Sequence, residues 1–248
     1  MSLLEQASLV ITPNAYKENI LYSVIPNTTL GDMDVVRATT ATRVNSAGLI
    51  EVVPRNLLQR SEQFENSAWT KVNSTISANA TIAPNGTLTA DKLIEAVTTS
   101  DHWAFQSTTN TISSATISCY MKKGERNFGF IRTRTSFNDF YAWFNLDNGT
   151  VGTVQAGITA SIIDVGNGWY RCVVINPNPI TGANPSVIGV SNANNVFSYL
   201  GNGTSGIFIW GAQLEQGSTA TEYFPTTTRL NIPRIDYTNG SCPSLLVE

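Results

Sequence analysis

Between Arg55 and Thr226 no stretch has the length and apolar spacing of an amphipathic helix; the chain breaks instead into short β-branched and aromatic runs. Thr116-Ile117-Ser118-Cys119-Tyr120-Met121 is one run, and Phe140-Tyr141-Ala142-Trp143-Phe144-Asn145-Leu146 is another, closed by Asp147-Asn148-Gly149. Gly166-Asn167-Gly168 leads into the most strand-like segment, Trp169 to Ile175. Such residues suit a pleated, half-buried surface, while Gly, Asn and Asp supply the positive-φ and side-chain-bonded conformations of tight turns. About eight to ten strands without a helix predict two packed sheets, a jelly-roll-like β-sandwich, rather than an α/β fold. The only helical expectation is a brief turn at Ser61–Phe64 with Ser61 as its cap. Trp69, Trp143, Trp169 and Trp210 fall in strand patterns and are expected in the core.

The flanks differ. Residues 1–54 offer short strands at Ser8–Thr12 and Leu21–Ile25, a third stretch at Asp34–Arg37, and a hairpin over Arg43–Val52 turning at Ser46-Ala47-Gly48. So few apolar residues cannot offset the ordering entropy of an independent domain. The segment therefore reads as an extended N-terminal arm for anchoring or oligomerisation, leaning on a neighbour. Arg234-Ile235-Asp236 with Gly240 and Glu248 echoes Arg43-Val44-Asn45 with Gly48 and Glu51, so 227–248 reads as a linker strand toward a further module. The expected division is 1–54 arm, 55–226 sandwich and 227–248 linker.

Only 13% of the residues are charged and the net charge is −3, with no Lys/Arg cluster. Average domains are roughly 25% charged, so neutral Thr, Ser, Asn and Gly cover this surface. That suits packing against subunits or hydrogen bonding to sugars. A nucleic-acid partner would call for a basic stripe. No apolar run approaches the ~20 residues of a helical membrane span. The start, Met1-Ser2-Leu3-Leu4-Glu5-Gln6, lacks the basic and long apolar segments of a secretory signal, so synthesis in a cytoplasm is expected. Cys119, Cys172 and Cys242 have no metal-ligand spacing, and the first two are expected as small buried hydrophobes.

Catalytic patterns are weak, and no enzymatic activity is expected. His102 is the single histidine, with no nucleophile elbow to serve. Asp139, Asp147 and Asp164 have the right type for a glycosidase pair, but Asp147 and Asp164 lie in turn sequences. A structural Ca²⁺ held by Asp side chains and loop carbonyls fits a sandwich of this kind, although no DxDxDG-like run is present; no other cofactor is expected. Sugar binding has better candidates, because aromatic faces stack on pyranose rings. Trp103, Phe105, Phe137, Tyr141 and Tyr199 stand beside polar, loop-like sequence, and the expected glycan platform is Trp103 with His102 and Tyr141.

Four blocks, in order, resemble a module of tailed-bacteriophage fibre and spike structural proteins. They are Arg55-Asn56-Leu57-Leu58-Gln59-Arg60-Ser61-Glu62-Gln63-Phe64 with Trp69-Thr70-Lys71; Asp91-Lys92-Leu93; Gly166-Asn167-Gly168-Trp169-Tyr170-Arg171; and Trp210-Gly211-Ala212-Gln213-Leu214-Glu215 with Tyr223-Phe224-Pro225-Thr226. The segments around Arg43 and Arg234 look like the connectors between such modules. The resemblance implies a carbohydrate-binding-module-like jelly roll on a virion head or tail appendage, a homotrimer by analogy with fibres, contacts to other virion proteins through the arm, and adhesion to host-surface glycans. It supplies no catalytic residues. The rival reading is a carbohydrate-binding module of a secreted or surface polysaccharide-processing protein.

Overall fold

The computed structural model describes residues 41–53, 55–109, 111–135, 138–180, 182, 184–227, 234–240 and 244–246, and the backbone strands 10–13 and 21–25. Two compact units emerge, Asn56–Thr228 and the combination of Met1–Arg55 with Arg229–Glu248.

The larger unit is all β. Its sandwich strands are β1 (Thr70–Val72), β2 (Ser74–Thr81), β3 (Ala90–Glu95), β4 (His102–Thr108), β5 (Ala115–Lys123) and β6 (Phe128–Arg134). They continue as β7 (Asp139–Asn145), β8 (Thr150–Val154), β9 (Thr159–Gly166), β10 (Trp169–Asn176), β11 (Asn184–Ser191) and β12 (Gly206–Gln216). Sheet one has the order β9-β10-β5-β12-β3-β2 and sheet two β8-β7-β6-β11-β4-β1, with antiparallel neighbours throughout. The chain changes sheet at each step from β3 to β6 and again from β10 to β12, the double Greek key of a jelly roll. The expected jelly-roll sandwich is the observed fold.

Strand alternation places the core between the sheets. Ile117, Cys119 and Met121 of β5 point inward, as do Ile131 of β6, Phe144 of β7 and Ile188 of β11. Each such side chain, removed from water, stabilises by about 1.5–3 kcal/mol. Cys119 and Cys172 sit opposite one another in register as buried free thiols, as expected of small hydrophobes.

The outward face of sheet one is closed by the unit's own chain. Tyr223 packs against Tyr120 and Trp210, and Trp169 lies in the same cluster. Asn56 Oδ1 accepts from Leu58 N and Leu214 N while its Nδ2 donates to Ala212 O, which joins the entering segment to β12. Residues 61–68 form successive turns rather than the expected helical turn. Ser61 Oγ does not cap; it bonds Tyr223 Oη at 2.8 Å and accepts from Thr226 N at 2.8 Å. Asn-Gly-Thr sequences behave as turn devices: the hydroxyls of Thr87, Thr150 and Thr204 donate to Oδ1 of Asn85, Asn148 and Asn202.

In the smaller unit, Val10–Pro13 pairs with Leu21–Ile25. A hairpin joins Thr42–Val44 to Ile50–Val52, and Ile235–Asp236 pairs with Ser244–Leu245. The two echoing sequences meet there: Tyr237 N donates to Val44 O, Val44 N to Asp236 Oδ2, and Arg234 Nε to Thr42 O. The arm and the linker thus share one unit. Residues 8–9, the stretch Asp34–Arg37, Phe137 and Cys242 lie outside the described residues.

Candidate functional site

Because side chains alternate along a strand, one face of sheet two points away from the core. The middle strand β11 presents Pro185, Val187, Gly189 and Ser191 on that face. By register, Gly189 lies between Trp103 of β4 and Phe130 of β6, and Val187 between Phe105 and Arg132. Arg132 and Phe130 pair in turn with Tyr141 and Trp143 of β7. Large side chains thus face each other across a strand of small ones. Glycine is required at position 189, since a Cβ there would collide with the Phe130 ring.

The rings make a continuous patch. Trp103 and Phe105 have centroids 5.7 Å apart and planes inclined by 32°, and Tyr141 stacks on Trp143 at 5.9 Å and 28°. The loop after β11 folds back over one side, placing Phe197 4.3 Å from Tyr141 and 4.4 Å from Trp143. Asn194 fixes that loop to β8, accepting from Thr153 N and donating to Thr153 Oγ1. Phe130 and Trp143 are consequently buried, whereas Trp103, Phe105, Arg132, Tyr141 and Phe197 stay partly open.

The polar groups are unevenly matched. The Arg132 guanidinium lies over Trp103, 3.6 Å from the ring centroid, and 6.0 Å from that of Tyr141. Burial pulls the Arg132 pKa down, against the upward pull of nearby Asp139 and Tyr141; Arg nevertheless remains charged. Burial raises the Tyr141 pKa, and Asp139 raises it further. Asp139 forms a 3.5 Å ion pair with Arg134. Trp103 Nε1, Trp143 Nε1 and Arg132 Nε are buried from water and have no hydrogen-bond partner among the described residues. The other three tryptophans are satisfied: Trp69 donates to Arg60 O, Trp169 to Ile82 O and Trp210 to Thr89 Oγ1. Buried donors without acceptors are uncommon and expensive. Here both unpaired indoles occupy one sheet face.

The expected platform is therefore only partly assembled. Trp103 and Tyr141 lie on this face, with Phe105 beside Trp103. His102 does not join them; adjacent to Trp103 on β4, it points into the opposite side of the sheet and is fully buried. Its Nδ1 lies 2.6 Å from Asn73 O and its Nε2 3.3 Å from Tyr199 O. Tyr199, which stands beside polar, loop-like sequence, is buried as well. The tryptophans expected in the interior, Trp69, Trp143, Trp169 and Trp210, are all buried.

Among the other carboxylates, Asp147 pairs with Lys123, and Asp164, expected in a turn, lies in β9, where its Oδ1 accepts from Gly166 N at the strand's irregular end. No group of three or more metal-ligating side chains occurs among the described residues. Sequence reasoning missed Glu95, which is buried and held by Arg126 Nε at 2.8 Å, Tyr199 Oη at 2.6 Å and Asn202 N at 2.9 Å. Burial alone would raise its pKa, but these bonds lower it overall. This network ties β3 to the segment before β12 and leaves the Glu95 carboxylate no freedom to act on a ligand. Arg132 was also missed, because nothing in its local sequence marks it.

No family model matches the chain, and no relative was found among curated proteins.

Proposed function

We propose that this chain is a non-catalytic structural and binding protein of a bacteriophage head or tail fibre or spike, whose sandwich holds carbohydrate on the outward face of sheet two. The carrying observation is the contrast between two aromatic clusters. On sheet one the rings are covered by the unit's own chain and their indoles are bonded. On sheet two Trp103, Phe105, Tyr141 and Phe197 remain partly open around the partly open Arg132 guanidinium. Partly open aromatic faces beside a guanidinium suit a ligand with flat apolar faces and oxygen acceptors, which describes a saccharide.

The phage setting draws on the four ordered blocks and on the flanking unit. That unit exposes Leu49, Ile50 and Val52 on one hairpin, at 64%, 80% and 53%. Contiguous exposed apolar residues suit contact with sister chains or other virion proteins. A homotrimer made in the host cytoplasm and incorporated into the virion follows from the likeness to fibres. The second reading, a binding module of a polysaccharide-processing protein, gains from the fact that Asn56–Thr228 is a compact unit with its own core.

Two measurements test the proposal. Binding to an array of bacterial surface glycans should occur and should disappear with Trp103→Ala, while the circular-dichroism spectrum stays β-rich. Light scattering should give three times the chain mass. Binding by a monomer would favour the second reading, and no binding to any glycan would remove the carbohydrate role.

A further inference from the structure

Resting on the carbohydrate reading, we propose that the sheet-two face selects acidic saccharides, with the Arg132 guanidinium receiving the carboxylate of a uronic-acid residue that stacks beside Trp103.

Three observations carry this inference. The first is the donor excess. Trp103 Nε1, Trp143 Nε1 and Arg132 Nε lack acceptors among the described residues but are shut off from the surface, as is the one unbonded oxygen, Asp139 Oδ1; the donors left to a ligand are the terminal N–H groups of the partly open Arg132. A neutral pyranose brings hydroxyls that both donate and accept; a carboxylate brings acceptors only. The second is charge. The outward ends of β6 and β7 carry Arg132 and Arg134 against Asp139, which lies near both, so these three groups leave one cation in excess. The third is preorganisation. Arg132 reaches across Val187 and Gly189 to lie over Trp103, which fixes the plane of its fork. A planar, oriented guanidinium matches a carboxylate with two parallel hydrogen bonds, a geometry that lysine cannot offer.

The partly open rings flank that cation. Trp103 and Phe105 are inclined by only 32°, so together they offer an apolar surface to a pyranose whose acidic group faces Arg132. Tyr141, opposite Arg132 in register, bounds the other side. Phe197 closes the face beyond Tyr141 and directs an oligosaccharide toward Trp103.

The test is calorimetric titration of the whole chain with galacturonate, glucuronate and mannuronate oligomers and with the carboxyl-reduced form of each. At least one acidic oligomer should bind ten-fold or more tightly than its reduced counterpart, and the difference should shrink as salt is raised. Arg132→Gln, with an unchanged near-ultraviolet dichroism spectrum, should abolish the difference while retaining binding of the reduced oligomer. Equal binding of acidic and reduced forms would overturn acid selection and leave the carbohydrate reading intact. A preference that survives Arg132→Gln would also overturn it. Binding of neither form in any pair would overturn both. If Arg132→Gln does not fold, Arg132→Lys supplies the decision: it keeps the charge and loses the fork, so the preference should fall by more than half.

Discussion

The guanidinium of Arg132 lies 3.6 Å from the centre of the Trp103 ring, although the two residues belong to strands separated by β11. Only Val187 and Gly189 stand between them, so the long Arg side chain spans the gap without a clash. A cation over an indole contributes about 0.5–2 kcal/mol, more as the pair is desolvated. That contact organises the outward face, and most of the expected behaviour of the protein can be traced to it or to the buried groups that hold its sheet.

Trp103→Phe should change stability little. It removes an unpaired buried N–H, whose burial costs about 1–3 kcal/mol, and keeps most of the ring. Trp210→Phe loses a satisfied bond to Thr89 and leaves a gap in a covered cluster, so it should cost about 2 kcal/mol or more. Urea unfolding midpoints of the two variants check the difference.

Gly189→Ala should be disproportionately harmful for one methyl group. Its Cβ meets the Phe130 ring, which would have to leave its place against Trp143 and Phe197. Overpacking of this kind costs about 1–3 kcal/mol. Thermal unfolding checks the loss, and weakened saccharide binding should accompany it.

Glu95→Gln should destabilise the sandwich by about 3 kcal/mol at neutral pH, because Arg126 loses the charge that compensates it. The folded-state pKa of Glu95 is lowered from its ordinary 4.5. Its stabilisation is therefore complete above about 4.5 and lost as pH falls through the lower folded value. Acid unfolding curves of the two proteins should converge at low pH.

Asp91 should show the opposite slope. Burial pushes its pKa from 3.8 up to about 6, although the backbone N–H groups of Asn79 and Phe64 pull it down. A raised folded-state value means that protonation favours the fold. The contribution is fullest below 3.8 and declines as pH rises through about 6. Wild-type protein should thus gain stability relative to Asp91→Asn between pH 7 and pH 5, as read from paired denaturation curves.

How far this could be read from the sequence depends on which interactions are local. Strand runs and Asn-Gly turns announced the sandwich because alternation and turn chemistry act over a few residues. The four blocks have structural duties: Asn56 bridges to β12, Asp91 accepts from Phe64 N, Trp169 bonds Ile82 O, and Tyr223 covers sheet one. The candidate face lies between those blocks and depends on cross-strand register, which no short motif encodes. His102 was misplaced because adjacent strand residues face opposite ways, so Trp103 outward places His102 inward. Arg132 and Phe197 reach the site from distant strands and loops, and their local sequences are ordinary.

The most direct measurement is a two-dimensional ¹⁵N–¹H spectrum of the five tryptophan indoles during titration with neutral and uronic-acid oligosaccharides. The resonance of Trp103, on the partly open face, should move with a saturating ligand, while those of Trp69, Trp169 and Trp210, already bonded within the protein, should stay still. Movement at Trp169 or Trp210 instead, or five unmoved resonances across the whole panel, would contradict the assignment of the outward face of sheet two as the binding surface.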